Sequence, residues 1–263
     1  MNRRTILAVL PGLVTLSAAH AQTHLTSEHV DFNIRFTAPS SFLMEVVDED
    51  NGVNYSPSSV ILDVPEAAQS ARPGSSAFDF IGVAAGQTYW RLPQSQNPNL
   101  LYLGVAGYGV SSGSIDSYNA SAESGGRVSG TGAWTKLTLE SVKGVGGTSA
   151  PGFFSVWQNG DTGPITFLSS FTGGITSNDA LWIVAGGHSH FNWGFSAPGD
   201  YEVTFRPSVR RSGATVTSAD PFTFLFQVQT AAPEPGSLSL LALPLVGIAL
   251  QCVRRRSKES RNR

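Results

Sequence analysis

The residues best equipped for chemistry are two short spacings that carry histidine. In Gly186-Gly187-His188-Ser189-His190-Phe191-Asn192-Trp193-Gly194-Phe195 the histidines stand two apart, and Phe191, Trp193 and Phe195 hold the opposite parity. On extended backbone the aromatic parity faces a core, while His188, His190 and Asn192 project from the other face. Cα atoms two apart on a strand are separated by about 6.8 Å, across which two imidazoles can converge on one ion. A second pair occurs in Glu28-His29-Val30-Asp31, where Val30, Phe32, Ile34 and Phe36 are apolar on one parity and His29 and Asp31 take the other. His29, Asp31, His188 and His190 offer up to three nitrogens and a carboxylate, a set suited to Zn²⁺ or another divalent metal. The condition is that the two strands share a sheet or reach one end of the domain. If it is met, His29 should lie within about 10 Å of His188 or His190, close enough for side-chain adjustment to complete a site. A hydrogen-bonded polar cluster without metal is the competing reading.

Other patterns carry less. Gly109-Val110-Ser111-Ser112-Gly113 fits the G-x-S-x-G nucleophile pattern, but that motif needs a helix after it, and Ser114 to Gly126 lacks helical periodicity. Asp48-Glu49-Asp50-Asn51-Gly52 reads as a solvated turn, because the full calcium-loop spacing is absent. No pair of carboxylates is marked out for glycosidase chemistry, which needs two across a cleft. Trp182 and Trp193 fall in well-patterned strands and read as core. Trp90, Trp134 and Trp157 would form a sugar-stacking platform only if exposed.

These side chains need strands to position them, and the sequence supplies strands. Alternation recurs at Val30–Phe36, Tyr201–Phe205 and Phe222–Val228, with further candidates at 42–47, 60–64, 88–92, 100–105, 134–142, 153–157 and 181–185. No uninterrupted amphipathic helical stretch occurs between Gln22 and Ala232; Pro65 to Ala71 offers a helical turn and little more. Many short strands between Gly, Pro, Ser and Asn turns imply an all-β domain, a two-sheet β-sandwich of Ig-like or jelly-roll type. Pro198-Gly199 suits a type II turn and a hairpin leading into the Tyr201 strand. The Gly/Ser-rich stretch from Ala106 to Gly132 reads as a long surface loop rather than a linker.

The ends of the chain read as addresses. Met1-Asn2-Arg3-Arg4, an apolar run from Ile6 to Leu16 and Ala19-His20-Ala21 form a signal-peptide pattern over residues 1–21, with cleavage between Ala21 and Gln22. That leaves an exported domain over 22–232 and a tail over 233–263. In the tail, Pro233-Glu234-Pro235 precedes a mostly apolar segment, 237–253, which is followed directly by Arg254, Arg255 and Arg256. Seventeen residues are near the lower limit for a transmembrane helix, and the arginines belong on the cytoplasmic side. The single cysteine, Cys252, lies in this tail, so the exported domain has no disulfide, thiolate metal site or cysteine nucleophile.

Charge excludes one class of partner. The whole chain of 263 residues has a formal net charge of −2, yet from Gln22 to Ala232 nine Lys and Arg face seventeen Asp and Glu. An acidic exported domain is a poor match for nucleic acid, whose phosphates want a basic face.

The order Pro-Glu-Pro, apolar span and arginine cluster resembles the PEP-CTERM sorting signal. The resemblance implies recognition by an exosortase, a membrane-embedded cysteine protease or transpeptidase, and removal of the tail near the motif. A second resemblance spans about Glu28 to Val228. It rests on His29-Val30-Asp31, on Pro93-Gln94-Ser95-Gln96-Asn97-Pro98 with Leu103-Gly104 after it, and on His188-x-His190-x-Asn192-Trp193-x-Phe195 followed by Pro198-Gly199-x-Tyr201. Together these resemble the choice-of-anchor M domain of bacterial surface proteins, which implies surface display and, through transporter-associated relatives, modestly favours a metal. The resulting expectation is a non-enzymatic protein of the cell surface or extracellular matrix, held transiently in the inner membrane by its C-terminal segment. Its partners would be signal peptidase, exosortase and an extracellular polysaccharide matrix. Divalent-metal binding through the His/Asp pairs is the alternative function, and a polysaccharide-active hydrolase the second.

Overall fold

Alternating apolar side chains build nearly all the regular structure, because each such run can bury one face and solvate the other. The computed structural model describes residues 22–229. The signal peptide up to Ala21, the Pro233-Glu234-Pro235 motif, the transmembrane segment and the arginine cluster lie outside the described residues. No helix within them is long and apolar enough to cross a membrane. The strands begin with β1 (Thr23–Leu25), β2 (His29–Thr37), β3 (Ser41–Asp48), β4 (Val53–Tyr55), β5 (Val60–Val64) and β6 (Gln69–Ala71). Next come β7 (Thr88–Leu92), β8 (Tyr102–Gly109), β9 (Ser117–Asn119), β10 (Thr131–Gly144), β11 (Phe154–Gly160) and β12 (Gly163–Ser169). The last six are β13 (Ala180–Val184), β14 (His188–His190), β15 (Asn192–Phe195), β16 (Gly199–Arg211), β17 (Ala214–Thr217) and β18 (Phe222–Val228). Helical structure among the described residues is limited to short 3₁₀ turns, one of them Glu66–Ala68.

The strands make three sheets. The first runs β1-β5-β18-β16-β10-β13, with β17 beside β16 and β9 beside β10. The second runs β12-β11-β15-β7-β6, and the third β14-β8-β2-β3-β4. One core cluster draws on all three. Phe224 and Phe226 of β18 sit at its centre. Phe32 of β2 stacks on Phe224 with ring centroids 3.9 Å apart, and Phe195 of β15 meets Phe226 at 5.1 Å. Each fully buried phenylalanine contributes roughly 1.5–3 kcal/mol of transfer free energy, so these rings hold the second and third sheets against the first.

Three expectations need correction. Three hydrogen-bonded sheets stand where two were expected, because pairing breaks between His190 and Asn192. Phe191, 1% exposed, turns into the core there; β14 before it pairs with β8, and β15 after it pairs with β7 and β11. Pro198-Gly199 does not close a hairpin. Strand β16 pairs with β10 and β18, so this turn carries the chain from the second sheet to the first. Gly199 is required at that corner: its φ is 134°, and an added Cβ would lie 2.7 Å from Pro151. The stretch from Ala106 to Gly132 is not a loose surface loop. It starts inside β8, includes β9, and buries Val110, Ile115 and Ala120. Arg127 fastens it by donating to the carbonyls of Ser124, Phe167 and Asn178.

Candidate metal centre

Strand order brings the two sequence pairs together. β8 stands between β2 and β14, parallel to the first and antiparallel to the second. In register, Asp31 lies opposite Gly104 and Gly104 opposite His190, while His29 lies opposite Tyr102. Gly104 therefore separates Asp31 from His190 with a residue that has no side chain. A Cβ at this position would stand 2.1 Å from Asp31 Oδ1 and 2.9 Å from His190 Cε1. The glycine is what lets the two side chains close over β8.

The result is a compact trio. One ligand atom each from His29, Asp31 and His190 lies within 4.8 Å of the others. His29 Nε2 and His190 Nε2 are 3.2 Å apart, one nitrogen donating to the other. Two ligands at 2.0–2.1 Å from a tetrahedral ion are themselves about 3.3 Å apart, so the imidazoles already have the spacing of one coordination edge. Tyr102 stacks flat on His190, with ring centroids 3.6 Å apart and planes at 5°, which fixes that imidazole's orientation. The backbone of His29 is held by the turn after β3: its N–H donates to Asp50, and its carbonyl accepts from the Glu49 amide.

Burial makes the trio electrostatically costly. Asp31 is 0% exposed, and neither carboxylate oxygen has a hydrogen-bond partner; His190 Nδ1 lacks one too. Buried carboxylates without donors are rare because the charged form loses its hydration. Burial accordingly pushes Asp31 up to about 6, opposed by His29 and assisted by Glu49. Burial, with His29 and His188 nearby, pushes His190 down to about 4. Near neutral pH His190 is therefore a neutral imidazole and Asp31 a carboxylate without a donor, the states in which these two groups bind a divalent ion.

His188 stands apart from the trio. It is exposed, with its ring centroid 5.4 Å from His190 and 6.4 Å from His29, and it leans towards Tyr108. The non-core face that carries both pairs is itself covered. Asp31, Asn33, His190 and Asn192 are all buried, since neighbouring side chains cover that face. Asn192 has a positioning role: its Oδ1 accepts from the Gln94 amide, and its Nδ2 donates to Gln94 Oε1 and the Trp157 carbonyl. Trp193 Nε1 donates to the Leu103 carbonyl, next to Gly104. Residues 48–52 form a turn in which Asp48 accepts from Asn51. Sequence reasoning did not assign a role to Gly104 or Tyr102; the available signal was a glycine interrupting the apolar strand after Leu103.

Compared with protein-family models, with curated proteins and with solved structures, the chain matches none.

Proposed function

We propose that this chain is an exported surface domain that holds a divalent ion of zinc type between His29, Asp31 and His190. The observation that carries the reading is the buried carboxylate of Asp31, unpaired and within ligand distance of two histidines already spaced as one coordination edge. A cation there would supply the partner that Asp31 lacks. Three protein ligands leave one tetrahedral position for water or a ligand atom. The role is binding rather than catalysis, in an all-β domain of choice-of-anchor M kind. Sorting by exosortase through the PEP-CTERM tail, with display at the cell surface or in the matrix, follows from the terminal patterns in the sequence.

The test is direct. The protein is stripped with EDTA, reloaded with Zn²⁺, and analysed by elemental analysis and titration calorimetry. One ion per chain is expected, with affinity reduced by at least about tenfold in His190→Ala and in Asp31→Asn. Equal zinc affinity in wild type and both variants would overturn the site.

A further inference from the structure

Of the five histidines, His20 falls within the signal peptide, and His29, His188 and His190 stand at or beside the trio. His24 is left without a role. It lies in β1, which pairs on one side only, with β5, in a different sheet from the one that carries the trio. Thr23 and His24 are exposed, the His24 side chain at 46%, while Leu25 is buried and pins the end of the strand to the core. The ring nitrogen nearer the backbone, Nδ1, meets Asp63 Oδ1 at 2.9 Å. Position decides what this residue can do. Cleavage between Ala21 and Gln22 makes His24 the third residue of the mature chain, behind a free amine. Four nitrogens then follow one another along the chain: the Gln22 amine, the Thr23 amide, the His24 amide and His24 Nδ1. Each neighbouring pair can close a small chelate ring on one ion, so the four can lie in a plane around it. A histidine one place earlier would supply one amide too few, and one place later would put an extra amide between.

We propose that removal of the signal peptide creates a second metal site, in which the Gln22 amine, the amide nitrogens of Thr23 and His24, and His24 Nδ1 hold copper(II) in a square plane. It rests on the export reading above, which cuts the chain after Ala21. Planar nitrogen coordination selects copper(II), and nickel(II) after it, whereas zinc has no such preference from its d electrons and suits the tetrahedral trio. The two sites would therefore sort metals by geometry. On binding, the two amide protons pass to solvent, with the ammonium proton of any Gln22 that is charged, and copper stays in its +2 state. His24 carries its one proton on Nε2 and exchanges the Asp63 contact for the ion. Consecutive amides on a strand point to opposite sides, so one of the two must leave the β5 ladder. The loss is small, because β1 is a three-residue strand at the edge of its sheet.

For the test, the protein is produced with its signal peptide, recovered in detergent after export, and weighed intact. A mature chain that starts at Gln22 with a free amine is expected. With Zn²⁺ present to fill the trio, added Cu²⁺ should bind at one ion per chain and show four planar nitrogens by electron paramagnetic resonance. Ni²⁺ should give a diamagnetic complex, the mark of a square plane that a tetrahedral site cannot produce. His24→Ala should lower copper affinity by at least about a hundredfold, and an alanine inserted after Gln22 should remove the planar signal. Asp63→Asn, which keeps all four nitrogens, should retain it. The uncleaved precursor, which has no amine at Gln22, should lack it. A mature chain that starts elsewhere overturns both the proposal and the cleavage after Ala21; loss of the Gln22 amine by cyclisation overturns the proposal alone. So does a chain cut at Gln22 that gives no planar signal, gives it undiminished in His24→Ala, or loses it in Asp63→Asn, and each of these leaves the export reading standing.

Discussion

Asp31→Asn is the sharpest perturbation, because it removes the charge while keeping the shape. In the folded protein the Asp31 carboxyl keeps its proton up to about pH 6, against 3.8 for an ordinary aspartate. Between those values the folded state binds more protons than the unfolded chain, so stability falls as pH rises, and the full penalty is present above pH 6. At 1.36 kcal/mol per pH unit the penalty is about 3 kcal/mol, a large part of the 5–15 kcal/mol that holds a domain together. His190 carries the opposite slope: its depressed value removes stability as pH falls from 6.5 towards 4. Both proteins contain His190, so that slope largely cancels in the comparison. In EDTA, urea denaturation should show the two proteins about equally stable at pH 3.5. At pH 7.5 the variant should be more stable by about 3 kcal/mol. Zinc should reverse the order, since an ion present at a thousand times its Kd adds about 4 kcal/mol to the protein that binds it. A variant less stable than wild type at pH 7.5 in EDTA, or a difference that does not change with pH, would refute the account of Asp31 as a charge buried for a cation.

Gly104→Ala should cost roughly 1–3 kcal/mol in denaturation and lower zinc affinity at least about tenfold by calorimetry, because its Cβ drives Asp31 and His190 apart. His188→Ala should reduce zinc affinity by less than about tenfold and leave the urea midpoint unchanged, whereas His190→Ala should reduce it by more, since His188 is exposed and outside the trio. Deleting residues 237–263 should yield an exported, unanchored protein in the medium. Replacing Pro233-Glu234-Pro235 by alanines should leave the tail uncut, as read by intact mass; the wild-type mature C-terminus in that variant would remove the motif from the sorting account.

Strands were legible where one face is apolar. Phe222–Val228 appears with the bounds its alternation implies, because burial of alternate residues is what made it a strand. The parity of His29 with Asp31, and of His188 with His190, was legible for the same reason. Parity names a face but not a neighbour, so nothing local announced that β8 separates the two pairs or that Gly104 lies between Asp31 and His190. Covering of that face was equally hidden, since it depends on side chains such as Tyr102 that arrive from 70 or more residues away. The packed excursion after β8 was misread because its buried residues, Val110, Ile115 and Ala120, are too widely spaced to show a period. Pro198-Gly199 had the chemistry of a turn, and a turn is present. Which strands it joins is decided by partners elsewhere in the chain.

The position of β18 sets how the domain responds to pulling. The described chain leaves this strand at Gln229, whose carbonyl is clasped by Trp90 Nε1 and whose amide is bound to the Val64 carbonyl. β18 is no edge: it is registered with β16 along its whole length, from Phe222 to Val228, and with β5 over Phe226–Val228. A tether attached beyond Gln229 would load the strand lengthwise, across hydrogen bonds that run perpendicular to it. Those bonds would have to shear together rather than peel one by one, while the rings of Phe224 and Phe226 are dragged through the core. A domain hung by this end is gripped along its most resistant axis.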